Sequence, residues 1–147
     1  MNKEEDSHPI KFYKKDEEYG FFSNFYTAPF EAGGRIYATN EHYFQSKKFA
    51  GKAYENDVAS AKTPFDAFEL GRSRSYPLRE DWEQVKDEIM YEGLRFKFSQ
   101  NKDLKDKLLE TGNRKIIEHT TKDKYWGDGG NGEGQNRLGI LLMKLRD

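Results

Sequence analysis

The spacing of apolar and polar positions along the chain predicts several helices and a few short strands. Apolar and polar residues alternate over residues 10–15 (IKFYKK), as they do in a half-exposed strand. Two more short runs, at 25–30 and 35–39, flank Gly33 and Gly34, which can adopt the positive φ angles of a tight turn. We therefore expect a hairpin, and with it a small antiparallel sheet near the N-terminus.

The segment after this hairpin predicts a helix over residues 40–51. Thr39 or Asn40 can serve as its N-cap, and Gly51 suits the position just beyond its end. Further elements are expected along the rest of the chain. They are helices at 54–61, 64–71, 102–112 and 135–146, and a strand at 114–119.

The longest helical pattern runs over residues 79–101. Its apolar residues near one face are Trp82, Val85, Ile89 and Phe96. Gly93 lies inside this helix at some cost in stability, which close packing would explain. Together these elements indicate an α+β fold that is predominantly helical. We expect a single domain over 10–147, preceded by a flexible tail at 1–9.

Composition narrows the possible classes of function. Among 147 residues the charges nearly balance, with a net charge of −1 and 35% charged residues, which argues against a strongly basic nucleic-acid binder. The chain has no cysteine, which excludes disulfides and thiolate chemistry. Its polar, acidic beginning lacks the apolar core of a secretory signal, and no apolar run reaches the length of a membrane span. We expect a cytoplasmic protein with no membrane partner.

The segment DKYWGDGGNGEGQNR (123–137) is rich in glycine and directly precedes the last predicted helix. Gly127, Gly129 and Gly132 match the G-x-G-x-x-G pattern, but the chain ends before the second strand and the acidic residue of a dinucleotide-binding fold could follow. Exposed amides before a helix still attract anions, so the loop could hold a ligand. A flexible connector that needs glycine for steric reasons is an equally good interpretation.

Trp126 and Asp128 in this loop suit a base or sugar stacked on an indole beside a carboxylate. The alternative, in which Trp126 packs into the core and Asp128 only closes a turn, is favoured when each residue is considered alone. Asn24 and Phe25, in an aromatic segment at 19–26, could belong to a turn or to the rim of a pocket. Composition does not decide between these interpretations.

Glu41, in the first turn of a predicted helix, is the main candidate for acid–base chemistry. A carboxylate at this position ordinarily interacts only with the helix dipole. Here Tyr43, Phe44 and Phe49 surround it with aromatic surface, and partial burial would make it a usable acid or base. Its neighbour His42 is expected to be structural, since the histidines of the chain show no spacing typical of a metal site.

Trp82 and Lys86 lie one turn apart in the longest predicted helix. An aromatic ring with a cation one turn away can hold a base and its phosphate. The same pair also arises at the edge of an ordinary amphipathic helix. Spacing alone leaves both interpretations open.

Several separated motifs, taken in order, resemble the NADAR family, whose members are also called YbiA-like proteins. The matching segments are YGFFSNF (19–25), NEHYFQSKKF (40–49), the long helix at 79–101, LLETG (108–112) and YWGDGGNGEGQNRLGILLM (125–143). The resemblance covers nearly the whole chain, from Phe12 to Arg146. One departure is the glycine run, which is longer here than the Trp-Gly-x-Gly of many members.

The resemblance implies a YbiA-like fold and an N-glycosidase, a hydrolase that cleaves the bond between a (phospho)ribose and a base. It points to phosphoribosylaminopyrimidine intermediates of riboflavin synthesis or to ADP-ribosylated guanine as substrates, with nucleic acid a partner only in its ADP-ribosylated form. By motif, Glu41 and Asp128 are the predicted catalytic residues. The predicted substrate-binding residues are Asn24, Phe25, Trp82, Lys86, Trp126, Gly127, Gly129 and Asn136. No metal and no cofactor is implied.

The same side chains would also serve a second class of protein, a module that binds ADP-ribose or a related nucleotide without cleaving it. The catalytic interpretation requires Glu41 and the Trp126–Gly127 segment to meet at one ribose-sized cleft. A purely structural helical domain is a third interpretation, but the composition of the glycine-rich segment argues against it.

Overall fold

The computed structural model describes residues 8–147. This part of the chain has four strands and six α-helices. The strands are β1 (Ile10–Phe12), β2 (Phe30–Ala32), β3 (Arg35–Tyr37) and β4 (Ile116–Glu118). The helices are α1 (Asn40–Lys47), α2 (Ala53–Ala59), α3 (Pro64–Arg72), α4 (Trp82–Gln100), α5 (Lys102–Glu110) and α6 (Arg137–Arg146). The predominantly helical α+β class is thus confirmed. A short 3₁₀ helix at Gly20–Phe22 is an element that the sequence pattern did not predict.

Strands β2 and β3 form the predicted antiparallel hairpin. Phe30 pairs with Tyr37 and Ala32 pairs with Arg35, so that Gly33 and Gly34 make the turn. Both glycines have positive φ angles, 58° and 84°. The strands are shorter than the sequence pattern indicated, because pairing extends over only three residues on each side.

Strand β1 does not join that antiparallel sheet. It pairs in parallel with β4, with Ile10 opposite Ile116 and Phe12 opposite Glu118. The expectation of a strand near residue 10 is confirmed, but its partner comes from near the other end of the chain. Such a pairing depends on tertiary packing, and no local pattern predicts it.

The chain divides into two compact units. Residues 102–147 and the described part of 1–26 form the terminal unit, and residues 27–101 form the central unit. Of the predicted tail at 1–9, only His8 and Pro9 are described, so that expectation lies almost wholly outside the described residues. The expectation of a single domain over 10–147 stays a prediction.

Helix α1 packs against α2, α3 and α4 of the central unit. Thr39 is its N-cap, since the Thr39 hydroxyl accepts a hydrogen bond from the His42 amide at 3.1 Å. The helix ends at Lys47, one turn earlier than Gly51 suggested. Every residue from Asn40 to Ser46 is buried, although most of these side chains are polar. Buried polar groups usually have hydrogen-bond partners, and the side chains of His42 and Ser46 do, but Oε1 of Gln45 is buried with no partner among the described residues.

Helix α4 approaches α1 closely at Gly93. A Cβ atom there would collide with Oδ1 of Asn40 and would lie 3.0 Å from the Tyr43 ring. The interior glycine is therefore explained by packing, as expected.

The buried side of α4 differs from the predicted side. Trp82 is buried, but Val85, Ile89 and Phe96 are only half-buried. The other buried positions of the helix are Met90, Gly93, Leu94, Lys97 and Phe98. Ile89 and Phe96 pack at the margin of a core cluster made of Phe30, Tyr37, Tyr43 and Ala59. Helix α4 therefore packs against neighbours on two adjacent sides. The more deeply buried side includes Lys97, so a search for apolar residues alone does not identify it.

Helix α6 packs against β4 in the terminal unit. Its buried side consists of Leu138, Gly139, Leu141 and Leu142. A Cβ atom at Gly139 would collide with the Ile116 carbonyl oxygen, so glycine permits the close contact between helix and strand. Within residues 8–147, no helix combines the length and the apolar character that a membrane span requires.

Candidate active site

Glu41 is held inside the central unit by a side chain of its own helix. Glu41 is only 6% exposed. Nε2 of Gln45, one turn further along α1, donates a hydrogen bond to Oε2 of Glu41 at 2.7 Å. Gln45 is itself buried, and its amide lies so close to Gly71 of α3 that a Cβ atom there would collide with it. An ordinary first-turn glutamate is solvated and mobile, whereas this carboxylate is buried and oriented.

His42 is engaged on both of its ring nitrogens. Nδ1 lies 2.8 Å from the Thr39 hydroxyl, and Nε2 lies 2.9 Å from the Ala61 carbonyl oxygen. Because a carbonyl oxygen can only accept, Nε2 must carry a proton and donate it. Burial lowers the pKa of His42, which favours the neutral ring. The histidine therefore joins α1 to the segment just after α2, and these contacts agree with the structural role expected for it.

Trp82 packs against Phe44 at the start of α4. The ring centroids are 5.1 Å apart with an interplanar angle of 58°. The ammonium group of Lys48 lies 5.9 Å from the centroid of each ring, in a geometry that allows cation–π attraction. Lys48 is only 9% exposed. This lysine was missed by the sequence interpretation, although its spacing from Glu41 and Gln45 puts all three on one side of the helix.

The pKa of Lys48 is influenced by burial and by charged groups on α1, on α4 and just after α3. Burial is the largest influence and, together with the positive charge of Arg74, lowers the pKa of Lys48 to about 8. Lys86 acts in the same direction, while Glu41 and Glu83 act in the opposite direction. The Lys48 ammonium is thus close to two cations, Arg74 and Lys86, and to two carboxylates, Glu41 and Glu83.

Lys86, predicted to bind phosphate, is already in an ion pair. Its Nζ lies 2.7 Å from Oε1 of Glu83, one turn earlier on α4. Arg74, just after α3, is held differently. Its guanidinium donates to the carbonyl oxygens of Gly71 at 3.1 Å and Ser73 at 3.0 Å, which orient the group without neutralising its charge.

Asp128 anchors the glycine-rich segment of the terminal unit. Only 5% of the residue is exposed. Its Oδ2 lies 2.7 Å from Nδ1 of His119, and its Oδ1 accepts hydrogen bonds from the amides of Thr120 at 3.1 Å and Gly130 at 2.8 Å. Burial alone would raise the pKa of Asp128, but the hydrogen bonds from His119, Gly130 and Thr120 outweigh it and lower the pKa. The carboxylate is therefore ionised and bonded at both oxygens.

The side chain of Asn136 forms hydrogen bonds with backbone groups of strand β4. The residue has a left-handed backbone, with φ of 50°, immediately before α6. Its Oδ1 accepts a hydrogen bond from the Glu118 amide, and its Nδ2 donates to the Ile116 carbonyl, both at 3.0 Å. The side-chain amide thus takes the place of a neighbouring strand, and its predicted contact with substrate stays a prediction.

The segment between Trp126 and Asn136 is tied back on itself. The amides of Asn136 and Leu138 donate to the carbonyls of Gly127 and Trp126 at 2.9 and 3.1 Å. Gly127 is required by contact, since a Cβ atom there would lie 2.8 Å from Thr120 Cγ2. Trp126 is half-buried, with its ring 4.8 Å from that of Tyr125. These hydrogen bonds tie the loop together, and the contact at Gly127 confirms that glycine is needed there for steric reasons.

Two predicted site residues of the terminal unit line one groove. Asp128 and Asn136 line it, together with His119, Lys11 and Lys115, and its volume is about 610 Å³. His119 was missed because no sequence spacing marks its pairing with Asp128, although it lies only four residues before the glycine-rich segment. The side chain of His119 is 45% exposed, and its ring is fixed by Asp128.

The remaining predicted residues divide between the two units. Glu41, Trp82 and Lys86 belong to the central unit. Asn24, Phe25, Trp126, Gly127, Asp128, Gly129 and Asn136 belong to the terminal unit. Asn24 is buried and Phe25 half-buried, just after the 3₁₀ helix. That the two sets meet at one cleft stays a prediction. Within residues 8–147, no three His, Asp or Glu side chains are grouped as metal ligands.

Several relatives of this chain are named N-glycosidases, which are hydrolases that act on N-glycosyl bonds. The chain is 48% identical over 138 residues to N-glycosidase YbiA of Shigella boydii, covering 94% of this chain and 86% of that protein. The NMR structure of YbiA from Escherichia coli matches with a TM-score of 0.88 and 46% identity, over 95% of this chain and 83% of the other. The NADAR domain family matches residues 11–147, and this chain belongs to that family.

A longer relative carries a different name. The chain is 40% identical over 139 residues to a riboflavin biosynthesis protein of Vibrio vulnificus. The match covers 95% of this chain but 38% of that protein. A domain like this one therefore also occurs as one part of a larger polypeptide.

Proposed function

We propose that this protein hydrolyses the N-glycosidic bond between a phosphorylated ribose and a base. The candidate substrates are phosphoribosylaminopyrimidine intermediates of riboflavin synthesis and ADP-ribosylated guanine. Relatives named N-glycosidase and riboflavin biosynthesis protein support the reaction and favour the first substrate. A cytoplasmic location would suit either substrate and is part of the proposal.

The observation that carries the proposal is the buried carboxylate of Glu41, oriented by Gln45 on the polar side of α1. Cleavage of a ribosyl C–N bond passes through a state with positive charge at the anomeric carbon and ring oxygen. A preoriented carboxylate stabilises that charge and can direct or deprotonate the attacking water. We assign this role to Glu41, with Trp82 and Trp126 holding the base or the sugar.

Asp128 is assigned a positioning role. Its pKa is lowered by the hydrogen bonds from His119 and two amides, which outweigh the effect of burial, so it is a poor proton donor at neutral pH. Its two oxygens hold the loop amides and the His119 ring. Through these contacts Asp128 would keep the Trp126–Gly129 segment in the shape that substrate requires.

The experiment is release of free base from an aminopyrimidine ribotide by the wild type and by Glu41→Gln. General-base catalysis typically contributes 10²–10⁴-fold, so we expect a loss of about that size for this variant. Glu80→Gln, an exposed carboxylate of the same unit, is the matched control and should keep full turnover. If Glu41→Gln folds, as judged by circular dichroism, and turns over like the wild type, Glu41 is not the catalytic carboxylate.

The alternative is a module that binds ADP-ribose without cleaving it. One observation favours it: Asp128, one of the two predicted catalytic carboxylates, is bonded at both oxygens within its own loop. Calorimetry with ADP-ribose, paired with a product assay on N-glycosides, separates the two functions. Tight binding with no hydrolysis of any N-glycoside would favour the binding module.

A further inference from the structure

Lys48 is placed unusually for a lysine. It directly follows α1, on the side of the helix that carries Glu41 and Gln45, and it is 9% exposed. Lysine is almost never buried to this degree without a partner for its charge. Within the central unit (27–101), no carboxylate oxygen lies within 4 Å of its ammonium group. The rings of Phe44 and Trp82 flank the ammonium, and they offer only the weaker attraction of their π faces.

The neighbouring charges leave this position positive. Glu83 is already paired with Lys86 at 2.7 Å, and Glu41 already accepts a hydrogen bond from Gln45 at 2.7 Å. Arg74 adds a positive charge that the carbonyl groups around it do not neutralise. A buried cation beside a second, fixed cation is costly for the unliganded protein, and an anion bound between them would relieve that cost.

A backbone contact ties the segment that contains Arg74 to the end of α1. The amide of Arg79 donates to the carbonyl oxygen of Lys48 at 2.9 Å, which holds the segment after α3 against the end of α1. Arg74 lies in that segment. The arrangement draws on two segments of the central unit, in which Lys48 is buried and Arg74 is exposed.

We propose that Lys48 and Arg74 form an anion subsite beside Trp82 and Glu41, which binds a phosphate group of the substrate. The identity of the adjoining site rests on the proposed function, but binding of the anion does not. Lys86 then serves mainly as the partner of Glu83, and Lys48 takes the phosphate-binding role that spacing had suggested for Lys86. An ammonium next to an indole also lets a phosphate and a stacked ring be recognised together.

The subsite has a distinctive pH dependence. The groups that face Lys48 are Arg74 after α3, Glu41 on α1, and Glu83 and Lys86 on α4. Burial and Arg74 lower the pKa of Lys48 to about 8, so the lysine loses its charge as pH rises through that value. Anion binding should therefore be strong at pH 7 and weaker at pH 9, and a residue that stays charged at position 48 should remove this change.

The test is calorimetry of the full chain with ribose 5-phosphate and with ribose. We expect Lys48→Met to weaken binding of ribose 5-phosphate at pH 7 by roughly tenfold or more, and Arg74→Met by several-fold, with no change for ribose. From pH 7 to pH 9 the wild type should weaken by about tenfold, as expected for one group titrating near 8, while Lys48→Arg should change little. Lys62→Met and Arg72→Met, which remove exposed cations of the same unit, are the matched controls.

Each contrary result overturns the subsite. The first is that the wild type binds ribose 5-phosphate no more tightly than ribose. The second is that it shows no detectable binding of ribose 5-phosphate at millimolar concentration. A Lys48→Met variant that loses both ligands equally, or neither, has the same consequence. Failure of the proposed function looks different: ribose 5-phosphate would still bind through Lys48 while no N-glycoside is hydrolysed. If Lys48→Met fails to fold, the pH dependence of Lys48→Arg against that of the wild type decides the matter alone.

Discussion

Helix α1 of the central unit and the glycine-rich segment of the terminal unit both bury a carboxylate, but they hold it in different ways. Glu41 accepts a hydrogen bond from the side chain of Gln45. Asp128 accepts two hydrogen bonds from backbone amides of its own loop and lies against the ring of His119. Because its donors are backbone amides, Asp128 helps to fix the conformation of the loop. Glu41 is instead oriented by a side chain of its own helix.

The polar residues near each carboxylate continue this contrast. In the terminal unit, both ends of the Asn136 amide bond to strand β4. In the central unit, Lys48 is buried against two aromatic rings instead of backbone. Under the proposed function, the catalytic carboxylate and the anion-binding cations lie on α1 and the segments beside it, whereas Asp128 and Asn136 maintain the shape of the loop.

Among the variants that test this comparison, Gln45→Met should have the largest effect. This change keeps the volume of the side chain but removes the donor to Glu41. A misplaced catalytic group can cost about 10²-fold, so we expect kcat to fall by roughly 10- to 100-fold with little change in KM. Steady-state release of base from an aminopyrimidine ribotide measures both constants. Gln84→Met, at an exposed position of α4, is the control. An unchanged kcat for Gln45→Met would mean that the carboxylate does not need this donor.

Asn136→Ala should act on stability. It leaves the Glu118 amide and the Ile116 carbonyl without their partners, and unsatisfied buried groups cost about 1–3 kcal/mol. We expect the free energy of unfolding to fall by about 2 kcal/mol in urea denaturation. Asn131→Ala, at an exposed position of the same loop, should change it by less than about 0.5 kcal/mol. Equal effects of the two variants would remove the structural role that the geometry assigns to Asn136.

Local patterns predicted the elements that local interactions determine. The sequence predicted three such features: the Thr39 cap, the Gly33–Gly34 hairpin and the close packing at Gly93. Each depends on residues near in sequence or on the special geometry of glycine. The sequence did not predict the parallel pairing of β1 with β4, because these strands are far apart in the chain and are brought together only by the tertiary fold.

The candidate site divides in the same way. Gln45 and Lys48 follow Glu41 at helical spacing, so their common side could have been recognised had the polar residues of α1 been treated as a group. The pairing of Asp128 with His119 crosses a turn of irregular chain, and no sequence period marks it. The phosphate role of Lys86 was inferred from spacing alone, which could not reveal the ion pair with Glu83.

Asp128→Asn should reduce stability in a pH-dependent way. The folded protein lowers the pKa of Asp128 because its hydrogen bonds outweigh burial, so the contribution is present above the usual value of 3.8 and lost as pH falls below it. Hydrogen bonds to a charged group contribute about 1.5–3 kcal/mol, and part of that should be lost at pH 7.

The measurement is the free energy of unfolding across the acid range. The gap between wild type and Asp128→Asn should stay constant above about pH 5 and narrow as the medium becomes more acidic. Asp16→Asn, an exposed carboxylate of the same unit, should give no such gap. A gap that widens on acidification would contradict the ionised state that the loop geometry requires.

The smallest expected effect is that of Glu83→Gln. The Glu83 side chain is 71% exposed, so loss of its ion pair with Lys86 should change stability by less than about 0.5 kcal/mol. If Lys48 and Arg74 bind the phosphate, releasing Lys86 from its partner should tighten binding of ribose 5-phosphate by no more than about twofold. A gain of tenfold or more would mean that Lys86 is the main anion ligand and that its pairing with Glu83 suppresses binding. The contrast between α1 and the loop would then still hold, but the binding side chains would have to be sought along α4 instead of at the end of α1.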